Sequence, residues 1–379
     1  FISGTFFPTP GGVQVQIHNI ANKLYELGYD VKLFIYNKTN IKNNNYKIIL
    51  INKFLLNIVF FFKYYLNINL SFFLKPYVLY LKKKYNFDIW HFNFLNFKSL
   101  ILINALKNYN KKIKIIVTFH GVDVQIDRSI NYGFRLNKKY DDLLQNTISK
   151  IDKFTYISAV IEKDLIDLGV KKEKLIYFPN SVDIKKFNKI SSNKKDRVFN
   201  LITVARYAEK KKGFDFVEKI GKLLINKINF KWIIIGRNVT NLNNNKFISK
   251  HRDNFKLVEE IKNNEFFFPN SKLIKYYKSS TIYLHLSRIE SFGITILEAL
   301  SSELPIISFM STGSKTLIKN GVNGYLVKCF DTKEYAKTIF KIYKSKNKLI
   351  KSKLKDLKKY DLIFNTNKSI NDYKYLIKN

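Results

Sequence analysis

Apolar residues recur along this chain with two periods, and the alternation between them predicts a repeated strand–helix architecture. Val13, Ile17, Ile20, Leu24 and Leu27 follow one another at steps of four and three, the spacing of one helix face. Gly28 stands where a left-handed residue would end that helix, and residues 31–35 then read as a buried strand. Together with a strand at the start of the chain this is a strand–helix–strand unit, which requires a parallel sheet. Further strands are expected at 87–92, 113–118 and 155–158, with a helix near 160–168. A polar, strand-poor connector around Ser191 to Asp196 interrupts the pattern. The alternation then restarts, with strands at 200–205, 231–236, 281–286 and 304–308, a helix at 214–226 and an Asn-rich loop at 238–246. The expected fold is therefore α/β, two doubly wound parallel sheets. We place the N-terminal domain at 1–187, the C-terminal domain at 188–350 and a Lys-rich helical tail at 351–379.

Composition sharpens this picture. The chain carries 67 Lys and Arg against 29 Asp and Glu, a net charge of +38. Such an excess first suggests nucleic acid. Yet all but seven of the basic residues are lysine, and Lys, Asn, Ile, Phe and Tyr are raised together throughout. Biased coding composition produces that pattern without any binding patch. Neither zinc-finger spacing nor an aromatic RNA-binding signature is present. No nucleic-acid partner is expected, and a basic RNA-binding protein stands as the rival reading, marked by steep salt dependence. An anionic membrane surface is an expected partner, since it needs only charge and apolar contact.

No run of about 18 uncharged apolar residues exists, so no transmembrane helix is expected. Residues 53–85 combine Phe, Leu and Tyr with lysines and close on Lys82-Lys83-Lys84. They read equally well as a lipid-facing interfacial surface or as core-packed helices with solvated ends. The expected location is the cytoplasm, at the inner face of the membrane under the first of those readings. The single cysteine, Cys329, excludes an intramolecular disulfide and a cysteine-rich zinc site. Phe1 to Gly4 read as the end of a strand whose beginning precedes them.

Candidate chemistry concentrates between Ser287 and Glu298. A short apolar strand leads into Glu290, a Phe292-Gly293 step follows, and Ile294, Leu297 and Leu300 then recur at helical spacing. Gly293 thus lies at a strand-to-helix turn, where backbone N–H groups can hold a phosphate. Glu290 precedes the turn and Glu298 is expected about two helical turns beyond it. A phosphate site flanked by two carboxylates suits a nucleoside diphospho-sugar, although charges on a solvated helix face are the ordinary alternative. Arg206 ends an expected strand and Lys210-Lys211-Lys212 follow before Gly213. Cations of this kind stabilise a diphosphate as its bond to sugar breaks, whereas a lysine run is more commonly a solvated face. Gly11-Gly12 opens the first helix, where close backbone approach and the positive end of the helix favour an anion; a tight turn is the plainer reading. His120 follows a strand and faces the crevice end of a parallel sheet, or is a turn histidine bonded to backbone. His91 also ends a strand, and a structural role is expected for it.

The Glu-x-Phe-Gly-x-x-x-x-Glu pattern at 290–298 resembles the signature of the family-four retaining glycosyltransferases, which have the GT-B fold. Pro10-Gly11-Gly12-Val13, Thr118-Phe119-His120-Gly121, Pro179-Asn180-Ser181-Val182-Asp183, Val204-Ala205-Arg206, Lys212-Gly213 and 320–327 also match, in family order. The resemblance implies two domains facing a central cleft, with the last helix crossing back to the first. It implies that Glu290 meets hydroxyls of the transferred sugar, Glu298 the ribose hydroxyls, and Arg206 with Lys211 or Lys212 the diphosphate. Both lysines are named because the family's usual spacing from the arginine is one residue shorter than the step to Lys212. Gly293 and Ile294 form the helix start at the donor, Gly11 and Gly12 a loop beside diphosphate and acceptor, and His120 lies near the sugar. No metal, no cofactor beyond the nucleotide diphospho-sugar substrate and no protein nucleophile are implied. The expected acceptor is a carbohydrate or lipid-linked precursor in polysaccharide synthesis. A same-fold nucleotide-sugar epimerase is the alternative; a phosphorylase is disfavoured by the lack of a lysine context for pyridoxal phosphate. Glu303, the stretch 312–316 and Ser181 depart from the family pattern, which usually has glycine at the first and last of these and a Gly-Gly step in the middle one.

Overall fold

The computed structural model describes residues 1–379 apart from 4–5, 7–10, 40, 42–43, 192–197, 262–264, 329, 346–353 and 379. Cys329 and most of the expected connector thus lie outside the described residues. Two compact units are present, Phe1–Pro179 with Asn365–Asn379, and Asn180–Phe364. The division falls after Pro179 and not after residue 187. The reason is local: the Val182 amide donates to the Tyr360 carbonyl at 3.0 Å and the Leu362 amide to the Val182 carbonyl at 2.9 Å. Asp183 caps the helix Ile184–Lys189, and Lys186 from that helix pairs with Glu265 at 2.6 Å. In the tail, the helix Leu362–Lys378 follows a 3-10 turn at Leu354–Tyr360. Residues 365–379 return to the first unit, where the Tyr373 hydroxyl lies 2.7 Å from His91 Nδ1 and Lys368 donates to the Tyr177 carbonyl at 2.9 Å.

The first unit holds seven strands: β1 (Ile2–Ser3), β2 (Lys32–Ile35), β3 (Lys47–Leu50), β4 (Ile89–Asn93), β5 (Lys114–Phe119), β6 (Lys153–Tyr156) and β7 (Leu175–Tyr177). They form one parallel sheet in the order β3-β2-β1-β4-β5-β6-β7. The second unit holds β8 (Phe199–Val204), β9 (Phe230–Ile235), β10 (Phe255–Val258), β11 (Ile282–His285), β12 (Ile306–Phe309) and β13 (Tyr325–Val327). These pair in parallel in the order β10-β9-β8-β11-β12-β13. Helices cover both faces of such sheets, so central strands are apolar throughout rather than alternating. The Ile233-Ile234-Ile235 run of β9 is an example, all three side chains being buried. In each sheet the winding reverses beside its first strand, between β1 and β4 and between β8 and β11. Ligands of doubly wound folds bind outside the carboxyl ends of the strands at such a reversal.

Two details differ from the sequence reading. The helix Gly12–Glu26 buries Ile17, Ile20 and Leu24, but its apolar stripe stops there and Leu27 is exposed. Its buried face continues through polar groups instead: His18 Nδ1 lies 2.8 Å from the Tyr46 hydroxyl and Nε2 3.1 Å from the Asn22 amide. The Asn-rich stretch is a 3-10 turn, Val239–Asn244, followed by a short helix, Lys246–Lys250. Asn245 caps that helix by accepting from the amides of Phe247 and Ile248, so the asparagines end and start elements here. Residues 53–85 form two helices, Lys53–Tyr65 and Lys75–Tyr85, joined through a 3-10 turn at Ser71–Leu74.

Candidate active site

In the second unit, the carboxyl ends of β8 and β11 bring together most of the residues singled out above. Arg206 leaves β8 exposed, and residues 207–213 form a tight loop in which the Lys212 amide donates to the Ala208 carbonyl at 2.9 Å. Gly213 closes it at φ +69°, and a Cβ there would stand 2.1 Å from the Leu286 carbonyl oxygen. Only glycine allows the lysine loop to lie so close to the chain leaving β11. Arg288 then fastens the two segments. Its guanidinium donates to both carboxylate oxygens of Asp215, at 2.6 and 2.5 Å, and to the Lys210 carbonyl at 2.6 Å. It lies 4.1 Å from the centre of the Phe216 ring, and its backbone amide donates to the Lys211 carbonyl at 3.0 Å. A forked, planar cation suits this position in a way that a lysine would not.

The consequence is a fixed ion pair: Lys212 Nζ donates to Glu290 Oε2 at 2.7 Å. His285, at the end of β11, presents Nε2 3.5 Å from the same oxygen, while its Nδ1 lies 3.0 Å from the Ser308 hydroxyl. Burial disfavours charge on Glu290, but Lys212 and His285 outweigh it and hold the carboxyl well below its ordinary range. Burial keeps the His285 ring below its usual range, against the pull of Glu290. Lys211 is pushed down to about 8, first by burial and then by the like charges of Lys212 and Arg206, with Glu290 opposing. These couplings place Arg206, Lys211, Lys212 and Glu290 in one electrostatic cluster. Lys210 is exposed and contributes its carbonyl to Arg288.

Gly293 caps the helix Ile294–Ser301 at φ +92°. The first intrahelical donors are Ile296 and Leu297, both to the Gly293 carbonyl, so the amides of Ile294 and Thr295 open the helix. Glu298 stands one turn into this short helix, not two. It is 5% exposed, and Oε2 accepts from the buried Tyr277 hydroxyl at 2.8 Å. Burial raises its carboxyl to about 7, with the Tyr277 bond opposing. The turn before Gly293 is pressed against the start of the helix Thr312–Leu317, where the Gly313 amide donates to the Glu290 carbonyl at 2.6 Å. A Cβ at 313 would meet that carbonyl oxygen at 2.3 Å and the Phe292 nitrogen at 2.7 Å. So one glycine suffices in the 312–316 stretch, and Ser311 and Ser314 supply a reciprocal capping box around it. Glu303 occupies a left-handed position, φ +57°, which accounts physically for glycine being usual there.

The remaining site residues belong to the first unit. His120 follows β5, and its two ring nitrogens are buried without a hydrogen-bond partner. Burial pushes the ring down to about 3, so it is neutral. Its backbone, not its ring, is tied: the amides of His120 and Gly121 donate to Asp123 Oδ1 at 3.1 and 2.9 Å. Asp123 is fully buried and was not singled out by sequence; it also accepts from the Leu95 amide at 3.2 Å, and burial raises it to about 6. His91 is structural, with Nε2 2.6 Å from the Thr118 hydroxyl and Nδ1 on Tyr373. Gly11 is extended, at φ −175°, and Gly12 is the first residue of its helix. A Cβ at Gly11 would meet only the end of the Gln14 side chain, so backbone geometry alone does not demand glycine there. Among the described residues no three His, Cys, Asp or Glu side chains come together as a metal site.

Comparison with known proteins agrees with this fold. Residues 10–186 match the profile of Glycosyltransferase Family 4 and residues 184–360 that of Glycosyl transferases group 1. The N-acetyl-alpha-D-glucosaminyl L-malate synthase of Bacillus anthracis is 23% identical over 345 residues, 86% of this chain and 83% of the relative. A glycosyltransferase from Rickettsia africae superposes with a TM-score of 0.75 at 19% identity, covering 100% of this chain and 98% of that one. Anabaena Alr3699/HepE, solved in complex with UDP, superposes with a TM-score of 0.77 at 13% identity over 99% of both chains. The chain belongs to the family-four glycosyltransferases and has their GT-B fold.

Proposed function

We propose that this protein transfers a sugar from a nucleoside diphospho-sugar to a carbohydrate or lipid-linked acceptor, with retention at the anomeric carbon and without a metal ion. The observation that carries the reading is the cluster at the β8–β11 reversal: Arg206, Lys211 and Lys212 beside Glu290 and the Gly293 helix start. Three cations and the amides of Ile294 and Thr295 supply the positive field that a diphosphate otherwise takes from a metal. In the reaction the bond from the anomeric carbon to the diphosphate oxygen breaks and its electron pair stays on that oxygen. The acceptor hydroxyl attacks from the same face, and its proton passes to the departing diphosphate. Glu290, held ionised by Lys212, accepts hydroxyls of the transferred sugar; Glu298 accepts the two ribose hydroxyls. His120 is neutral and serves as a hydrogen-bonding contact to the sugar, not as a base. The proposed setting is synthesis of a surface polysaccharide or glycolipid.

The test is a panel of UDP-, GDP- and ADP-sugars offered with oligosaccharide and lipid-linked acceptors in the presence of EDTA. One donor should release nucleoside diphosphate in an acceptor-dependent manner, and the proton coupling of the new glycosidic bond should match the anomeric configuration of the donor. An inverted product contradicts retention. Acceptor-independent conversion of the nucleotide sugar identifies the epimerase alternative instead.

A further inference from the structure

We propose that the helical hairpin 53–85 of the first unit docks the protein on the surface of an anionic lipid bilayer. Its two helices each bury one narrow face. Leu56 and Val59 point inward from Lys53–Tyr65, and Val78 and Leu81 from Lys75–Tyr85. The opposite face of the first helix is not polar, as it would be on an ordinary surface helix. Phe54, Phe61 and Tyr65, spaced seven and four apart, share one outward face and are 71%, 51% and 60% exposed. Phe72 and Phe73, in the turn between the helices, are 63% and 50% exposed, with ring centres 4.2 Å apart. Tyr80 continues the exposed aromatic series on the second helix. Of the twenty large apolar side chains exposed among the described residues, nine fall between 54 and 80. That concentration marks a contact surface rather than scattered exposure.

Charge selects the occupant. No Asp or Glu occurs from residue 31 to residue 87, while ten lysines do, a density of positive charge well above the +38 spread over 379 residues. Lys82, Lys83 and Lys84 are exposed in the last turn of the second helix, and Lys84 donates to the Tyr80 hydroxyl at 2.7 Å, its ammonium 5.1 Å from the centre of that ring. Aromatic tips flanked by lysines that reach outward match the boundary between acyl chains and anionic headgroups. A second copy of this chain is a poor occupant, because both surfaces would carry the same charge with no acidic residue to compensate. No helix among the described residues is long and apolar enough to cross a membrane, so this hairpin lies on the bilayer.

The test is sedimentation of the full chain with phosphatidylglycerol vesicles, with phosphatidylcholine vesicles and with neither. The protein should pellet with the first only, and about 1 M salt, which shortens screening to about 3 Å, should release it. Lys82→Gln, Lys83→Gln and Lys84→Gln together should weaken partition on the order of a hundredfold. Phe72→Ser with Phe73→Ser should weaken it about tenfold; circular dichroism checks folding, and the lysine variant carries the test if the aromatic one misfolds. Equal pelleting with both vesicle types, pelleting with neither, or partition unchanged in the lysine variant would overturn the proposal. So would binding of single-stranded RNA, or a concentration-dependent dimer, abolished by these substitutions in a protein that ignores vesicles. The assay contains no nucleotide, so its outcome is independent of the donor reading.

Discussion

Replacing Arg206 with alanine should lower turnover by on the order of a hundredfold or more while changing ground-state donor binding far less. In the proposed reaction charge on the leaving diphosphate grows as the glycosidic bond breaks, so a guanidinium at the end of β8 acts most strongly in the transition state. Arg206 is exposed and its charge acts against that of Lys211, so the substitution relieves like-charge repulsion. Steady-state kinetics separate the possibilities. A loss in kcat with KM little altered supports the role; an unchanged kcat with a raised KM means that Arg206 binds donor and transition state equally.

The two carboxylates should fail in different ways. Glu298→Ala should weaken binding of free nucleoside diphosphate at pH 8, where its carboxyl is ionised, by roughly ten- to a hundredfold, the value of hydrogen bonds to a charged acceptor. Glu290→Ala should spare that affinity, since it also frees Lys212 from its ion pair, and should lower turnover of the intact donor. Equal losses of nucleoside diphosphate affinity in both variants would contradict the division. Glu298 adds a pH signature. Its carboxyl titrates near 7 in the folded protein against an ordinary value of 4.5. Its burial cost is therefore present above pH 7 and vanishes as pH falls to 4.5. Glu298→Gln should be more stable than the parent at pH 8, by up to about 3 kcal/mol, and match it near pH 4.5 in thermal melts.

Much of this was legible in the sequence, and what was not has a common cause. The central strands stand out as apolar runs because they are covered on both faces. The strands that the pattern did not disclose are β3, β7, β10 and β13, and these are the four sheet edges. Edge strands are half solvated and short, so residues such as Lys256 in Phe255–Val258 dilute the apolar signal. At the site, Glu290, Gly293 and Glu298 announce themselves by spacing around a turn, and Arg206 by its place at the end of a strand. Arg288, Asp215, His285 and Tyr277 act through contacts between segments far apart in the chain, which no local pattern encodes. One signal was available for Arg288: in a chain with 67 basic residues of which only seven are arginine, an arginine two positions before Glu290 stands out. The need for glycine at 313 likewise arises only when Glu290 and Phe292 are folded against it.

The central claim, that the second unit binds a nucleoside diphosphate without a metal ion, is tested most directly by thermal unfolding with UDP, GDP and ADP in EDTA. One of them, at ~100 times its dissociation constant, should stabilise the protein by about 2.7 kcal/mol, and magnesium should add nothing. Stabilisation that appears only with magnesium, or none with any of the three in either condition, would contradict the account.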